Sequence, residues 1–381
     1  MSFLVCLLSC VLLDSEFVKT LLDDDGSIWQ RLGDNTIPPT QDLATFADLT
    51  NKLAQWVPRS FLKDNATHLE GNVVFITKYD EKTPLYRCKM TLNNGTIAEV
   101  FAPSVPKAWK QNMPIQERVA AFGVYVKSYK DVPIFAAPAI QWYPDTWLGN
   151  LGFDVGSFDQ VPVSRVTELV QHDEETNRLM FKFTEADREP FYGLLLAVSA
   201  TPAGYLEEEA RQQRSEMPIS VADLFNRPSE TRGEPVCLRG IAKRVIPTPV
   251  TDSEVLSLFG IDHYYQIYLF TEQSQGNPIV VCVRSLPEGM PVGDAIDFSE
   301  QITVVAVPYK LWIYDTPTGQ HYAPVLVGRS PVWHPTPAMK RPPPEFVTTF
   351  SYVVFFTLIL LWFACRYWAR HSQSRSFRLR F

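Results

Sequence analysis

One sequence pattern occurs twice in this 381-residue chain, and this repeat constrains the fold more than any other feature. The first copy ends in "GVYVKSYKDVPIFAAPAIQWYP", and the second ends in "AVPYKLWIYDT" followed by "YAPVLVGRSPVWHP". Both copies carry a lysine with an aromatic residue two places later, an Ala-Pro step and a closing Trp-x-Pro. Each copy also begins with a strand-like Leu-x-Gly. Short sequence motifs that recur in the same order predict two structural units of the same topology.

Each repeat has the pattern of a small all-β unit. In residues 69–144 a first strand is followed by a hairpin, whose Asn-Asn-Gly turn lies at residues 93–95. A helix-like connection over residues 107–116 precedes two more strands, and residues 237–337 repeat this order. Five strands with a connection between the third and the fourth are typical of an OB-fold. We therefore predict two OB-like five-stranded barrels, with a small barrel of another topology as the alternative.

The segments before and between the repeats have helical periodicity. Residues 14–68 contain an apolar stripe at three- and four-residue spacing, formed by Leu43, Phe46, Leu49, Leu53 and Trp56. In residues 145–236, Thr184 followed by Asp187 is a capping box that predicts the start of a helix, and a second helix follows it. The chain is therefore expected to be mainly β with α, in the α+β class.

The C-terminal part predicts a membrane anchor. Residues 346–365, "FVTTFSYVVFFTLILLWFAC", contain no charged residue. A helix of about 20 residues spans the hydrocarbon core of a bilayer, so we predict a transmembrane helix, with a buried core helix as the alternative. A Pro-rich spacer at residues 338–345 precedes it. Residues 366–381 carry five arginines and no acidic residue, which predicts a basic cytoplasmic tail.

The N-terminal residues 1–13 are apolar and resemble the core of a signal sequence, although an ordinary core segment is the alternative. A signal at this end agrees with the cytoplasmic tail at the other end, because the bulk of the chain would then be exported. We therefore predict a single-pass protein whose repeats lie outside the cytoplasm.

Three phrases carry a resemblance to a known group: "FTEADREPFYGLLLAV", "LFNRPSETRGEPVCLRG" and "YAPVLVGRSPVWHP". On these phrases the chain resembles uncharacterised bacterial single-pass membrane-anchored proteins with tandem OB-like barrels. The resemblance extends over most of the chain from about residue 69. It implies the inner (plasma) membrane of a bacterium as the setting, and it carries over no catalytic residue.

The sequence contains no motif for catalysis or metal binding. Nucleophile elbows, HExxH, Walker A, GxGxxG and EF-hand patterns are absent, and the six cysteines form no CxxC. We therefore predict no catalytic residue, no metal and no cofactor. The adjacent Asp262 and His263 are interpreted as a surface contact. Cys237 and Cys282 are expected not to form a disulfide, because the first and third strands of such a barrel both neighbour the second.

Four residues form a possible ligand platform, because lysine and aromatic residues recur at matching places: Lys127 with Tyr129, and Lys310 with Trp312. In the functional interpretation, each pair offers a cation and a ring to a nucleotide or a glycan. In the structural alternative, each lysine stem covers the barrel while its amine reaches water.

Charge argues against nucleic acid as the partner. The chain has a net charge of −7, and the balance is +3 in residues 69–144 and −3 in residues 238–335. A nucleic-acid clamp would be basic in both repeats. We predict a non-enzymatic, membrane-anchored envelope protein that presents two small β-barrels to a protein or glycan partner. The alternatives are a cytoplasm-facing OB protein that binds single-stranded nucleic acid, and an enzyme with an unrecognised site.

Overall fold

The computed structural model describes residues 22, 26–79, 84–109, 114–163, 183–216, 218–316, 319–335 and 344–375. The predicted signal-like segment 1–13 lies outside these residues. The chain divides into two compact units, Met1–Pro335 and Thr336–Phe381. In its described part, the first unit contains two six-stranded sheets with helices beside them. This architecture confirms the mixed α+β, mainly β class that the sequence predicts.

Within residues 26–66 of the described chain, the α-helices α1 (Ser27–Leu32), α2 (Leu43–Trp56) and α3 (Arg59–Asn65) precede the first sheet. The predicted apolar stripe lies on α2, and three of its members are fully buried: Phe46, Leu49 and Leu53. Trp56, the last residue of α2, has 62% of its surface exposed, so the stripe does not continue to the end of the helix.

Sheet 1 consists of β1 (Thr67–Lys78), β2 (Tyr86–Leu92), β3 (Ile97–Ala102), β4 (Pro114–Tyr129), β5 (Val132–Ala136) and β6 (Gln141–Trp142). The strand order is β1-β2-β3-β5-β4-β6, and β1 also pairs with β4. The contact between β3 and β5 is parallel. The predicted hairpin at residues 93–95 is confirmed, since it joins β2 to β3.

Two local predictions for the first repeat are wrong. The Trp-x-Pro step belongs to a separate sixth strand, because Trp142 pairs with Val119 on β4 instead of extending β5. The helix predicted over residues 107–116 does not form in the part that the structure describes, where a turn leads to the start of β4 at Pro114.

The connecting region is helical in its described part, with α4 (Trp147–Asn150), α5 (Glu185–Ser199), α6 (Tyr205–Glu216), α7 (Val221–Asn226) and α8 (Pro228–Thr231). The predicted capping box of Thr184 and Asp187 is confirmed at the start of α5. Asp187 accepts from the backbone N–H of Thr184 at 2.8 Å.

Sheet 2 repeats the topology of sheet 1. It consists of β7 (Val236–Pro249), β8 (His263–Phe270), β9 (Ile279–Val283), β10 (Glu300–Thr316), β11 (Gly319–Gly328) and β12 (Val332–His334), with α9 (Ser253–Phe259) between β7 and β8. The order is β11-β9-β8-β7-β10-β12, β10 also pairs with β11, and β9 and β11 are parallel.

The repeated glycine and tryptophan occupy matching positions in both sheets. Gly71 pairs across to β4, and Gly240 pairs across to the same place on β10. The indole N–H of Trp142 donates to Glu117 at 3.0 Å, and that of Trp333 donates to Glu300 at 2.7 Å. Trp142 pairs with Val119, two residues after Glu117, and Trp333 pairs with Ile302, two residues after Glu300. The register therefore supports a duplicated unit.

The repeated prolines match differently from the prediction. The sequence aligns Pro138 with Pro324, since each follows an alanine. In sheet 1, Pro133 pairs with Ser128, the residue after Lys127. In sheet 2, Pro324 pairs with Leu311, the residue after Lys310. Pro133 is therefore the counterpart of Pro324, because strand register and not the Ala-Pro dipeptide decides the correspondence.

Each sheet buries apolar side chains on two faces. The inner face of sheet 2 includes Leu238, Ile267, Ile279, Val281 and Leu326, and its outer face packs Cys282, Val307 and Val325 against Leu194 and Val198 of α5. The corresponding outer residues of sheet 1, Val124 and Ile134, pack against α1 to α3. The duplicated unit is therefore a sheet together with the helices that precede it.

The second unit contains α10 (Pro344–Arg375). Its described side chains, at residues 352–368, are mostly exposed, and the large apolar residues among them include Phe356, Leu360 and Trp362. Within the described residues, no helix combines the length and the apolar character that a membrane crossing requires.

The four cysteines in the described part are free thiols, which agrees with the expectation that Cys237 and Cys282 are not bonded. β8 separates the strands that carry them. Burial raises the pKa of Cys88 and Cys282 to about 12, and it also raises the pKa of Cys237, although that side chain is exposed.

We therefore predict that iodoacetamide at pH 8 alkylates Cys237 in the native protein, and that Cys88 and Cys282 react only after unfolding, because the thiolate is the reactive form. Peptide mass spectrometry before and after denaturation checks this. Equal labelling of Cys237 and Cys282 in the native protein would contradict the buried position of β9.

Candidate functional site

The lysine of the second repeat lies in a buried polar network. Lys310 is 3% exposed, and its amine donates to both carboxylate oxygens of Asp187 at 3.0 Å. The hydroxyl of Tyr309 donates to the same carboxylate at 3.0 Å. Asp187 itself has no exposed surface. The network ties the first turn of α5 to β10.

A β-bulge brings the two neighbouring side chains to one face. Strand alternation would send Tyr309 and Lys310 to opposite sides of the sheet. The pairing of β10 with β11 instead shifts between Pro308 and Lys310, so that an extra residue stands in β10. Both side chains consequently reach Asp187.

Arg232, the residue that follows α8, completes the network. Its guanidinium donates to the main-chain oxygens of Tyr309 at 2.8 Å, Phe158 at 2.9 Å and Val161 at 3.2 Å. Burial lowers the pKa of Arg232 to about 10 and also lowers the pKa of Lys310, although the nearby Asp187 opposes both shifts. The group therefore joins three segments of the chain around one buried carboxylate.

Lys127 occupies the matching position in sheet 1. It is 1% exposed, and its amine donates to the main-chain oxygens of Asp34 at 3.2 Å and Ile37 at 3.0 Å. A bulge again precedes the lysine. Burial lowers the pKa of Lys127, while the charges of Asp42 and Asp34 act in the opposite direction. Both lysines thus fasten the preceding helical segment to their sheet.

The ligand platform predicted from the repeat is therefore not formed as a solvent-facing site. The amines of Lys127 and Lys310 contact protein atoms, and the alternative in which they reach water is also wrong. Tyr129 and Trp312 are partly buried and pack against the cores formed with the helices. The two pairs lie on different sheets. The misprediction arises because the covering helices are remote in sequence from the strands that they cover.

A groove lies beside β7 in the described part of the chain. It has a volume of about 1100 Å³, and it is bounded by the first residues of β7, the end of β8, α6 and α7. Its lining contains both apolar and polar residues, among them Leu224, Ile241, Arg214, Arg239 and Glu272. Sequence reasoning missed it, because its walls come from four segments, none of which has a distinctive motif.

Among the described residues, no group of three or more His, Cys, Asp or Glu side chains is arranged to hold a metal ion. His263 Nδ1 and Asp262 Oδ1 are 2.7 Å apart, and both side chains are substantially exposed, as expected for a surface contact.

Asp154 is a carboxylate with an unusual environment. Its Oδ1 accepts from the backbone N–H of Trp142 at 2.8 Å and of Gly156 at 3.1 Å. Burial raises the pKa of Asp154 from 3.8 to about 6. The folded state therefore binds this proton more tightly than the unfolded state, so the contribution of Asp154 to stability falls as the pH rises from about 4 to about 6.

We expect Asp154→Asn to raise the free energy of unfolding at pH 7 by about 1–2 kcal/mol, because the amide oxygen keeps both hydrogen bonds without a buried charge. The gain should shrink near pH 4, where the wild-type carboxyl is protonated. Urea unfolding of both proteins at the two pH values checks this. A gain that does not change with pH would contradict the raised pKa.

Comparisons with known proteins do not assign the chain to a family. No protein-family model matches it, and no curated protein matches it. Among solved structures it is similar to the enzymatic component C2-I of the C2-toxin from Clostridium botulinum, with 7% identity and a TM-score of 0.13. That similarity covers 83% of this chain and 98% of the other. A TM-score this low carries no argument about fold or function.

Proposed function

We propose that this chain is a membrane-anchored binding protein without catalytic activity, which holds two small OB-like barrels outside the cytoplasm for a protein partner. The groove beside β7 is the observation that carries the proposal. It combines a volume of about 1100 Å³ with apolar, amide and charged groups, which suits a segment of another protein chain. A glycan partner would rely on the lysine and aromatic pairs, and both lysines are buried.

The pairing pattern supports OB-like barrels. In each sheet the first strand pairs with the second and with the fourth, and the third and fifth strands are parallel neighbours. This circuit of five strands is the one expected of an OB-fold. The short sixth strand is an addition on the outside of the fourth.

The anchor is proposed from the uncharged residues 346–365 and the five arginines that follow them. The side chains of residues 346–351 lie outside the described part, and those of residues 352–368 are mostly exposed and apolar. We assign the setting to the inner membrane of a bacterium, with residues 366–381 in the cytoplasm.

A reporter fused after Phe381 tests this orientation. We expect activity from a reporter that works only in the cytoplasm, and none from one that requires the periplasm. The opposite pattern would overturn the assignment, and with it the export of the two sheets.

Photo-crosslinking tests the binding role of the groove. A photoreactive amino acid at Gln273, which lines the groove, should give protein adducts of discrete mass in bacterial cells that produce the full-length chain. The same group at Lys243, which is exposed on β7 outside the groove, serves as the control. Adducts that are absent, or equal at the two positions, would contradict the proposed role.

A further inference from the structure

The first strand of sheet 2 has an edge that no described strand covers. β7 pairs with β10 over residues 236–242, but its pairing with β8 starts only at Ile241. In the part of the chain that the structure describes, residues 236–240 thus have a partner strand on one side only. A free strand edge presents N–H and C=O groups that an added strand can bind.

The matching edge in sheet 1 is covered at one residue, Glu70. There the backbone N–H of Asn93 donates to the carbonyl of Glu70 at 3.0 Å. The register makes Arg239 the counterpart of Glu70 and Glu272 the counterpart of Asn93. Glu272 instead begins the 3₁₀ turn Glu272–Ser274, and among the described residues no backbone hydrogen bond joins this turn to β7. The duplication thus provides an internal comparison at one residue, since Glu70 is covered where Arg239 is open, whereas His68 and Cys237 have a partner strand on one side only.

Two residues direct their backbone groups at this open edge. Along an antiparallel strand, successive residues point their N–H and C=O groups alternately to the two sides. Since the carbonyl of Glu70 faces the edge in sheet 1, Arg239 and Cys237 face it in sheet 2. The side chains of both residues are exposed. The edge consequently offers two donors and two acceptors, and both residues line the groove.

The lining of the groove has two positively charged residues, Arg214 and Arg239, and one negatively charged residue, Glu272. The charges of Arg214 and Glu207 both act on Cys237 at the open edge. Among the described residues, the guanidinium groups of Arg214 and Arg239 form no hydrogen bond or ion pair. Two unpaired cations beside an open strand edge favour an acidic ligand.

We propose that the groove binds an extended, acidic peptide segment of a partner protein by strand addition to β7 at Cys237 and Arg239. This inference rests on the proposed function, and it specifies the binding mode and the chemistry of the ligand. Main-chain hydrogen bonds to the edge provide affinity, and the two arginines select carboxylates at alternate positions of the peptide.

Peptide binding to the full-length protein in detergent tests the proposal. The probe is a fluorescein-labelled pool of nine-residue peptides with Asp or Glu at alternate positions and Val or Thr between them. A matched pool has Lys in place of the acids. We expect fluorescence anisotropy to show binding of the acidic pool that is at least about tenfold tighter than that of the lysine pool.

Arg239→Pro removes the edge N–H without removing a hydrogen bond between β7 and β10, because the N–H of this residue points away from β10. It should weaken binding of the acidic pool about tenfold or more. Should this variant fail to fold, alkylation of Cys237 with N-ethylmaleimide blocks the same edge, and Arg214→Gln with Arg239→Gln tests the charge alone. Lys243→Gln, on the same strand outside the groove, should leave binding unchanged.

Failure of the inference can be distinguished from failure of the proposed function. If the wild type binds neither pool or both pools equally, or if a blocked edge binds as well as the wild type, acidic strand addition is wrong. If adducts from Gln273 persist in Arg239→Pro cells, the groove binds a partner in another way and the proposed function stands. If Gln273 gives no adducts, the proposed function itself fails.

Discussion

Asp187→Asn should lower the free energy of unfolding by about 3–5 kcal/mol, because it leaves the buried amine of Lys310 without a counter-charge. The amine lies 3.0 Å from both carboxylate oxygens, and neither residue is more than 3% exposed. The nearby guanidinium of Arg232 adds to the cost, since its pKa is already lowered by burial. Urea unfolding of the full-length protein, followed by tryptophan fluorescence, measures the change.

The double variant Asp187→Asn with Lys310→Met should recover most of the lost stability. An apolar replacement removes the uncompensated charge, and replacing both members of a buried ion pair is often close to neutral. Glu208→Gln is the matched control, because Glu208 pairs with Arg211 at the surface of α6 and should change stability little. A cost for Asp187→Asn as small as that of the control would show that the pair is not buried.

Gly240→Ala should destabilise the protein by about 2–3 kcal/mol, because the added methyl group has no space. A Cβ at this position would lie 2.3 Å from the carbonyl oxygen of Phe270. The contact is with backbone at the end of β8, so relief requires a shift of the strand. The midpoint of urea unfolding, at an unchanged slope, measures the effect.

Gly71→Ala provides a parallel test in the first sheet, since its Cβ would lie 2.1 Å from the carbonyl oxygen of Thr91. The two substitutions should therefore have similar costs if the repeats are equivalent. Gly193→Ala in α5 is the control, because its nearest contacts are at 3.7 Å and alanine favours a helix by about 0.5–1 kcal/mol. A stabilising Gly240→Ala would refute the close approach of β7 and β8.

Most predictions that rest on neighbouring residues agree with the structure, although the helix predicted over residues 107–116 does not form in its described part. The helix α2, the capping box of Thr184 and Asp187, and the hairpin at residues 93–95 all depend on contacts within a few positions of the chain. The repeat also predicted matching sites for the glycines and the lysines, because equivalent strands require the same residue at each close approach and each bulge.

The sequence by itself determined the mainly β class with added helices, the duplication and the positions of its repeated residues, since these follow from local periodicity and from order along the chain. Only the tertiary structure decided what the repeated residues do. Lys310 became a buried ion-pair partner and not a ligand contact, because a bulge and a helix that begins more than a hundred residues earlier meet at its amine. The open edge at Arg239 likewise depends on where β8 ends beside β7, which is a relation between distant segments that no spacing along the chain records.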